Sequence, residues 1–118
     1  MDLPNYRKLV VWQKAHRNAL TIIEILENSN PKYSRIVSQC FSSATSIGAN
    51  IAEGNSAKTS KRRYFEIALN SAYEFDNWIQ ILKDAKSVCT DKISIILVEK
   101  ENVEIIRILS KLIAGLVS

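Results

Sequence analysis

Glycine, proline, histidine and cysteine are all scarce in this sequence. The chain has three glycines and two prolines among 118 residues. Sandwiches and barrels need many turns built from those residues, so their scarcity favours a few long elements. The single histidine, His16, excludes a histidine-rich metal site. The two cysteines, Cys40 and Cys89, form no CxxC pair, so we expect free thiols in a reducing compartment.

Long apolar runs are missing as well. No stretch approaches 18 uninterrupted apolar residues, the least that a membrane-spanning helix needs. The first eight residues are polar and lack the apolar centre of a signal peptide. We therefore expect a cytoplasmic protein without a membrane partner. A chain of 118 residues predicts a single domain, residues 1–118, whose core needs no metal or disulfide.

Charge is unevenly distributed along the chain. The net charge is +4 and the pI is about 9.2. Residues 1–63 hold ten Lys or Arg and four acids, whereas residues 64–118 hold six and eight. This asymmetry indicates an anionic partner for one end or face of the protein.

Apolar residues recur at steps of three and four in four stretches, which places each set on one helix face. The four rows are Trp12, Ala15, Ala19, Ile22 and Leu26; Val37, Cys40, Ala44, Ile47 and Ile51; Phe65, Ala68, Ala72, Phe75, Ile79 and Leu82; and Ile105, Leu109, Leu112 and Leu116. The connections are short, so neighbouring helices should run antiparallel. We predict an all-α fold, an antiparallel up-down four-helix bundle.

Turn residues predict where the first two helices end. Pro31 and the polar residues before it end the first helix. The second begins near Ser34 and should stop at Gly54, a residue type that tolerates the left-handed position after a helix.

Polar residues predict the starts of the last two helices. Thr59 or Ser60 is available as the N-cap of the third, and Thr90 or Asp91 as that of the fourth. Residues 93–98 are β-branched enough to form a strand locally. Because no partner strand exists in the sequence, we predict that they are helical.

The first and fourth helices have unusually broad apolar faces. The residues concerned are Ile22, Ile23, Ile25 and Leu26, and Ile105, Ile106, Ile108, Leu109, Leu112, Ile113, Leu116 and Val117. Either these helices are deeply buried, or a second face packs against another copy of the chain. The second alternative predicts a homo-oligomer formed through helices 1 and 4.

A second row on helix 2 is polar and runs beside the apolar one. We call it the polar stripe: Gln39, Ser43, Ser46, Asn50 and Glu53. Ser71 and Glu74 share one face of helix 3 and are grouped with it. The stripe is a solvated surface, a hydrogen-bonded network that fixes register between helices or subunits, or, least favoured, an active site.

A cluster of cations stands at the predicted start of helix 3. We call Lys58, Lys61, Arg62 and Arg63 the basic cluster. Cations at a helix N-terminus oppose the macrodipole, so local stability does not explain them. An anion such as phosphate would be bound by the side chains and by free backbone N–H groups. The alternatives are an acidic protein partner or a solvated loop; Arg7 and Lys8 are secondary candidates.

Catalytic or metal-binding motifs are not evident. His16 is interpreted as structural or solvated, and Cys40 as a small core residue. The sequence has no phosphate-binding glycine loop, zinc-ligand spacing or nucleophile elbow. We therefore predict no enzyme activity, no metal and no cofactor, and an enzyme remains the third and least favoured hypothesis.

Several segments resemble one bacterial family. Residues 39–54 contain Gln39 and then SATSIGANIAEG, which is similar to the signature Q…S…SI..NIAEG. Residues 9–15, LVVWQKA, resemble the opening L.VWQKA; residues 71–74, SAYE, resemble GS..E; and residues 108–113, ILSKLI, resemble ML..LI. The family is that of four-helix-bundle proteins encoded in intervening sequences of large-subunit ribosomal RNA genes. The accessory variability protein of diversity-generating retroelements is a relative.

The resemblance carries expectations of its own. It implies an antiparallel four-helix bundle, a ring-like homopentamer, a basic surface suited to RNA or DNA, and no enzymatic activity. Retroelement members also contact a reverse transcriptase, which adds a possible protein partner. Our first hypothesis is thus an oligomeric accessory protein that binds nucleic acid, and the alternative is a scaffold for a protein partner.

Overall fold

Four long helices make up most of the computed structural model, which describes residues 4–116. They are α1 (Val10–Leu26), α2 (Ser34–Ser56), α3 (Lys61–Asp84) and α4 (Lys92–Ala114). Short 3-10 helices at Asn5–Lys8 and Pro31–Tyr33 precede α1 and α2. No strand occurs within residues 4–116, so the all-α class predicted from the sequence is confirmed there.

Each long helix packs against two others. α1 and α3 both contact α2 and α4, and the most extensive of these contacts joins α2 to α3. The inward apolar rows of the four helices meet in one hydrophobic core. Its largest fully buried side chains include Phe75, Ile22, Ile47, Ile79 and Ile105. Burying each such side chain contributes about 1.5–3 kcal/mol, which offsets the entropy lost on ordering the helices.

The sequence predicted that α2 stops at Gly54, but the helix continues to Ser56. No glycine has a positive φ within residues 4–116, so Gly54 has no left-handed terminal role. It is buried where α2 meets α3. A Cβ at this position would lie 3.0 Å from Cβ of Tyr64 and 3.5 Å from the ring of Phe65. Gly54 is therefore required for the close approach of two helices.

The start of α4 follows the prediction. The side chain of Asp91 accepts a hydrogen bond from the backbone N–H of Ser94 at 3.1 Å, which caps the helix. Residues 93–98 are helical, as expected. Lys92 Nζ donates to the carbonyl oxygens of Leu82 and Ala85, each at 2.6 Å, and so satisfies acceptors at the end of α3.

The broad apolar face of α4 divides between core and surface. Ile105 and Leu109 are fully buried, and Ile113, not the predicted Leu112, continues their row inward. Ile106, Ile108 and Leu116 are partly buried against the same core, as is Ile25 on α1, and Val117 lies outside the described residues. Most of the broad apolar face in the C-terminal half of α4 is therefore buried against the core of the same chain.

The exposed apolar residues of α4 lie mainly in its first two turns. Ile93, Ile96 and Leu97 are 77%, 43% and 60% exposed, respectively. We call these three residues the apolar patch. Leu112, on the last turns of α4, is 40% exposed. Within residues 4–116, no helix is long and apolar enough to cross a membrane.

The two helical glycines of α2 predict opposite effects of alanine. Gly54→Ala places a Cβ 3.0 Å from Cβ of Tyr64, which is attached directly to the α3 backbone and cannot rotate away. We expect it to lower the free energy of unfolding by about 1–3 kcal/mol, since overpacking outweighs the gain in helix propensity. Urea unfolding followed by circular dichroism measures the change.

Gly48→Ala is the matched control. Its Cβ would lie 3.5 Å from Nε1 of Trp12, an ordinary van der Waals contact. Helix propensity should then dominate and raise the stability by about 0.5–1 kcal/mol. If both variants are stabilised, close packing at Gly54 does not constrain the fold.

Candidate nucleic-acid interface

The basic cluster lies where α2 turns into α3. Lys61, Arg62 and Arg63 are the first three residues of α3, and Lys58 is in the loop before it. Lys58 and Arg63 are exposed, while Lys61 is partly exposed. The first turn of α3 contains no acidic residue. The structure therefore brings the four predicted cations together at one helix end.

The N-terminus of α3 is left without a side-chain cap. Ser60 occupies the N-cap position, as the sequence suggested, but its φ of 64° is left-handed and its hydroxyl makes no capping bond. A serine N-cap needs an extended backbone for its oxygen to reach the N–H two or three residues on. The predicted capping interaction is therefore absent, and N–H groups at this end remain available to an external acceptor.

Arg62 differs from the other members of the cluster. Its Nε donates to Oε1 of Glu66 at 2.8 Å, one turn further along α3. Its Nη1 lies 3.3 Å from the carbonyl oxygen of Leu116, just beyond α4. Arg62 thus links the start of α3 to the end of α4, whereas no ion pair engages Lys58, Lys61 or Arg63 within residues 4–116.

The secondary candidates, Arg7 and Lys8, end the N-terminal 3-10 helix and are both exposed. The guanidinium of Arg7 lies 5.9 Å from the centroid of the Tyr6 ring. Tyr6 shares a cleft with Ala52 of α2, one turn before that helix ends. The structure therefore places these cations at the same end of the fold as the basic cluster, which the sequence alone did not establish.

The polar stripe is only partly a network. Ser46 Oγ and Ser71 Oγ are 3.0 Å apart and bridge α2 to α3. Asn50 Nδ2 donates to the carbonyl oxygen of Ser46 at 2.9 Å and to its Oγ at 3.1 Å. Buried Ser43 donates to the carbonyl oxygen of Cys40 in its own helix. The remaining members are exposed: Gln39, Glu53 and Glu74.

Two buried asparagines, which the sequence analysis missed, connect helices more deeply than the stripe does. Asn18 Nδ2 donates to the carbonyl oxygen of Val98 at 3.1 Å, which joins α1 to α4. Asn102 is fully buried, and its Nδ2 donates to the carbonyl oxygen of Ala72 at 2.9 Å, which joins α4 to α3. Within residues 4–116, Oδ1 of Asn102 has no hydrogen-bond partner. The missed signal was that Asn102 interrupts an apolar row, Ile95, Val98, Ile105 and Leu109, at helical spacing.

The residues considered for catalysis occupy unreactive or exposed positions. Cys40 and Cys89 are free and buried. Burial raises the pKa of the Cys40 thiol to about 12, so it stays protonated and is a poor nucleophile. His16 is exposed, and its ring stacks on that of Trp12 at a centroid distance of 4.7 Å. No group of three metal-ligating side chains occurs in the described part of the chain.

The sequence matches the model of a known protein family. The family model for the 23S rRNA-intervening sequence protein matches residues 7–111. The matched range includes every residue of the basic cluster, the polar stripe and the two buried asparagines. No curated protein sequence matches the chain.

The buried amide of Asn102 predicts a pH-dependent defect. In Asn102→Asp, a buried carboxylate would face the carbonyl oxygen of Ala72, so the pKa of the carboxyl in the folded protein should be raised. We expect a loss of at least about 3 kcal/mol at pH 7, because a buried charge would have no partner. This loss of stability should shrink as pH falls through the raised pKa, since the neutral carboxylic acid can donate a hydrogen bond to the carbonyl oxygen of Ala72. Unfolding at several pH values tests this.

Asn102→Leu is the control of similar volume. It removes the donor and also the unpartnered Oδ1 acceptor, so its stability should stay within about 1.5 kcal/mol of the parent. A Leu variant as unstable as the Asp variant at pH 7 would show that the hydrogen bond donated by the Asn102 side-chain amide is itself required.

Proposed function

This chain belongs to the 23S rRNA-intervening sequence protein family, and we propose that it is a non-enzymatic, homo-oligomeric accessory protein that binds RNA or DNA. We also propose a cytoplasmic, single-domain protein with an antiparallel up-down arrangement of its helices. Two facts support that arrangement. Trp12, near the start of α1, lies against Gly48 in the second half of α2, and Leu26 at the end of α1 shares a depression with Val37 near the start of α2.

The uncapped, cationic N-terminus of α3 is the observation that carries the proposal. It combines three sources of positive potential: the helix dipole, free N–H groups and the side chains of Lys58, Lys61 and Arg63. Such a site costs stability in the free protein, since no acidic residue in the first turn offsets the repulsion. Phosphate would supply the missing negative charge and accept the free hydrogen bonds.

Oligomerisation would multiply this potential. The family resemblance supports a pentamer, and five chains of net charge +4 would carry about +20. Several copies of one weak phosphate site on a common surface give salt-sensitive, sequence-independent binding. The apolar patch supports a contact between copies, because soluble monomers rarely expose neighbouring large apolar side chains.

The same apolar patch supports the second candidate function, a scaffold for a protein partner such as a reverse transcriptase. The two functions differ in their dependence on salt. Nucleic-acid binding should weaken steeply as ionic strength rises, whereas an apolar protein contact should change little.

Removing three cations should separate binding from folding. In Lys58→Gln/Lys61→Gln/Arg63→Gln, Arg62 is kept because it links α3 to α4. We expect an unchanged or slightly raised melting temperature, because repulsion with the helix dipole is relieved. Affinity for a generic RNA or DNA should fall, and the slope of log K against log salt should flatten by about 2–3. Fluorescence anisotropy over a salt series measures both.

The control variant lowers the net charge by the same three units, but at positions outside the basic cluster. It replaces Arg35, Lys86 and Lys100, all exposed, by Gln. If both triple variants lose the same affinity and slope, the protein responds to total charge and the cluster is only a solvated loop.

The apolar patch predicts a variant that no longer assembles. Ile93→Lys/Leu97→Lys should reduce the mass seen by sedimentation velocity from an oligomer, proposed to be a pentamer, to a monomer. Both positions are exposed, so the helical circular dichroism signal should persist. Tyr73→Lys, at a 54% exposed residue of α3, is the control and should leave the oligomer intact. A parent protein of monomer mass at micromolar concentration contradicts the proposal.

A further inference from the structure

A cleft between α1 and α2 combines an aromatic wall with a floor of small residues. Its volume is about 250 Å³. Tyr6, Trp12 and His16 line one side, and the α2 residues that line the other are Ala44, Thr45, Gly48, Ala49 and Ala52. Sites for drug-sized ligands measure roughly 300–1,000 Å³, so this cleft suits a single planar ring system.

The three aromatic rings are in contact, and two of them are stacked. Trp12 and His16 lie nearly parallel, 14° apart, with centroids separated by 4.7 Å. Tyr6 meets Trp12 edge-on at 5.1 Å. His16 is exposed, so the stack continues to the protein surface. A flat π system entering the cleft would meet aromatic rings on one side and could approach α2 closely on the other.

The floor and the polar groups of the cleft fit a flat ligand with acceptor atoms. Gly48 lets the α2 backbone come close, and Nε1 of Trp12 lies 3.5 Å from where its Cβ would be. That indole N–H has no hydrogen-bond partner within the described residues, yet it is not among their fully buried polar atoms. It is therefore an accessible donor beside Gly48 in the lining of the cleft, and a ring nitrogen or carbonyl oxygen could accept its hydrogen bond.

Two cations lie beside the Tyr6 end of the cleft. Arg7 and Lys8 follow Tyr6 directly and are exposed, whereas Arg17 lines a different depression, between α1 and α4. Lys14 is paired with Glu101 at 2.8 Å and is not counted. Glu53, beside Ala52, is the one exposed acid next to a lining residue within residues 4–116. The residues around this cleft therefore carry a net positive charge, which suits a ligand in which an apolar ring is joined to an anionic backbone.

We propose that this cleft binds one unpaired nucleobase of a single-stranded nucleic acid, stacked against the Trp12–His16 pair. Arg7 and Lys8 contact the flanking phosphates. A base inside a duplex is stacked and paired, so only a loop, bulge or free strand can supply the ring. Stacking on aromatic side chains is tolerant of sequence, in keeping with a generic binding surface. The inference rests on the proposed nucleic-acid binding and adds a base-dependent component to it.

The test compares two probes with the same number of phosphates, a ten-nucleotide oligoadenylate and its abasic counterpart. The full-length chain carries Trp78→Phe, which leaves Trp12 as the only tryptophan. This replacement removes an indole N–H that is buried without a hydrogen-bond partner among the described residues, so the fold should tolerate it. We expect oligoadenylate to bind more tightly and to quench the fluorescence of Trp12, and the abasic probe to leave that fluorescence unchanged.

Two variants block or shorten the stack at exposed positions. Ala49→Leu fills the cleft from its rim, and His16→Ala removes the outer ring. Each should weaken oligoadenylate binding by about 5- to 150-fold, the range that one stacked base contributes, and leave abasic binding unchanged. Asn77→Leu, at an exposed position of α3, is the control and should change neither affinity.

The outcomes distinguish the cleft from the basic cluster. Equal binding of both probes, unaffected by Ala49→Leu and His16→Ala, overturns the base site but leaves phosphate binding intact. Binding of neither probe overturns both proposals. If Ala49→Leu dissociates the oligomer without altering base dependence, the cleft is a contact between copies of the chain and the inference is wrong.

Discussion

The close packing of α2 against α3 is the constraint on which the placement of the proposed binding surface depends. Gly54 brings the end of α2 so near Tyr64 that a methyl group would be crowded. The bridge between Ser46 and Ser71 holds the same pair of helices together further along. With both helices fixed, the loop between them has only residues 57–60 in which to turn. Ser60 adopts its left-handed conformation there, and the cations of α3 follow at once.

The interior polar contacts specify how the other helices pack. Asn18 and Asn102 each donate to a backbone carbonyl of a neighbouring helix and so join α1 to α4 and α4 to α3. Apolar contacts are non-directional, so a sliding helix could keep most of them. A buried amide cannot slide without leaving its donor unsatisfied, which costs about 1–3 kcal/mol. These two bonds therefore favour one register among several of similar apolar burial.

The proposed surface separates two tasks between different parts of the chain. The start of α3 offers charge and free N–H groups, which suit phosphate and carry no information about sequence. The cleft near the start of α1 offers aromatic faces, which suit an exposed base. The 3-10 helix at Asn5–Lys8 contributes to both tasks, since Tyr6 lines the cleft while Arg7 and Lys8 are exposed cations. Affinity would come mainly from the first and preference for single strands from the second.

The sequence by itself determined the class of fold and several helix boundaries. Helical periodicity and the scarcity of glycine and proline follow local rules, so the four helices, the start of α2 at Ser34 and the cap at Asp91 could be predicted. The basic cluster was equally visible, because its members are neighbours in sequence. The broad apolar face of α4 was visible too, but pattern alone could not divide it between core and surface.

Only the tertiary structure decided what each residue faces. Gly54 was expected to end a helix and instead lets two helices meet, because the space around a residue is set by chains distant in sequence. Asn102 became a buried link for the same reason. The cleft was not foreseen at all, since Tyr6 and Trp12 meet Gly48 only when α1 packs on α2. Local propensity acts through neighbours along the chain, whereas burial, pairing and clefts arise between elements that only folding brings together.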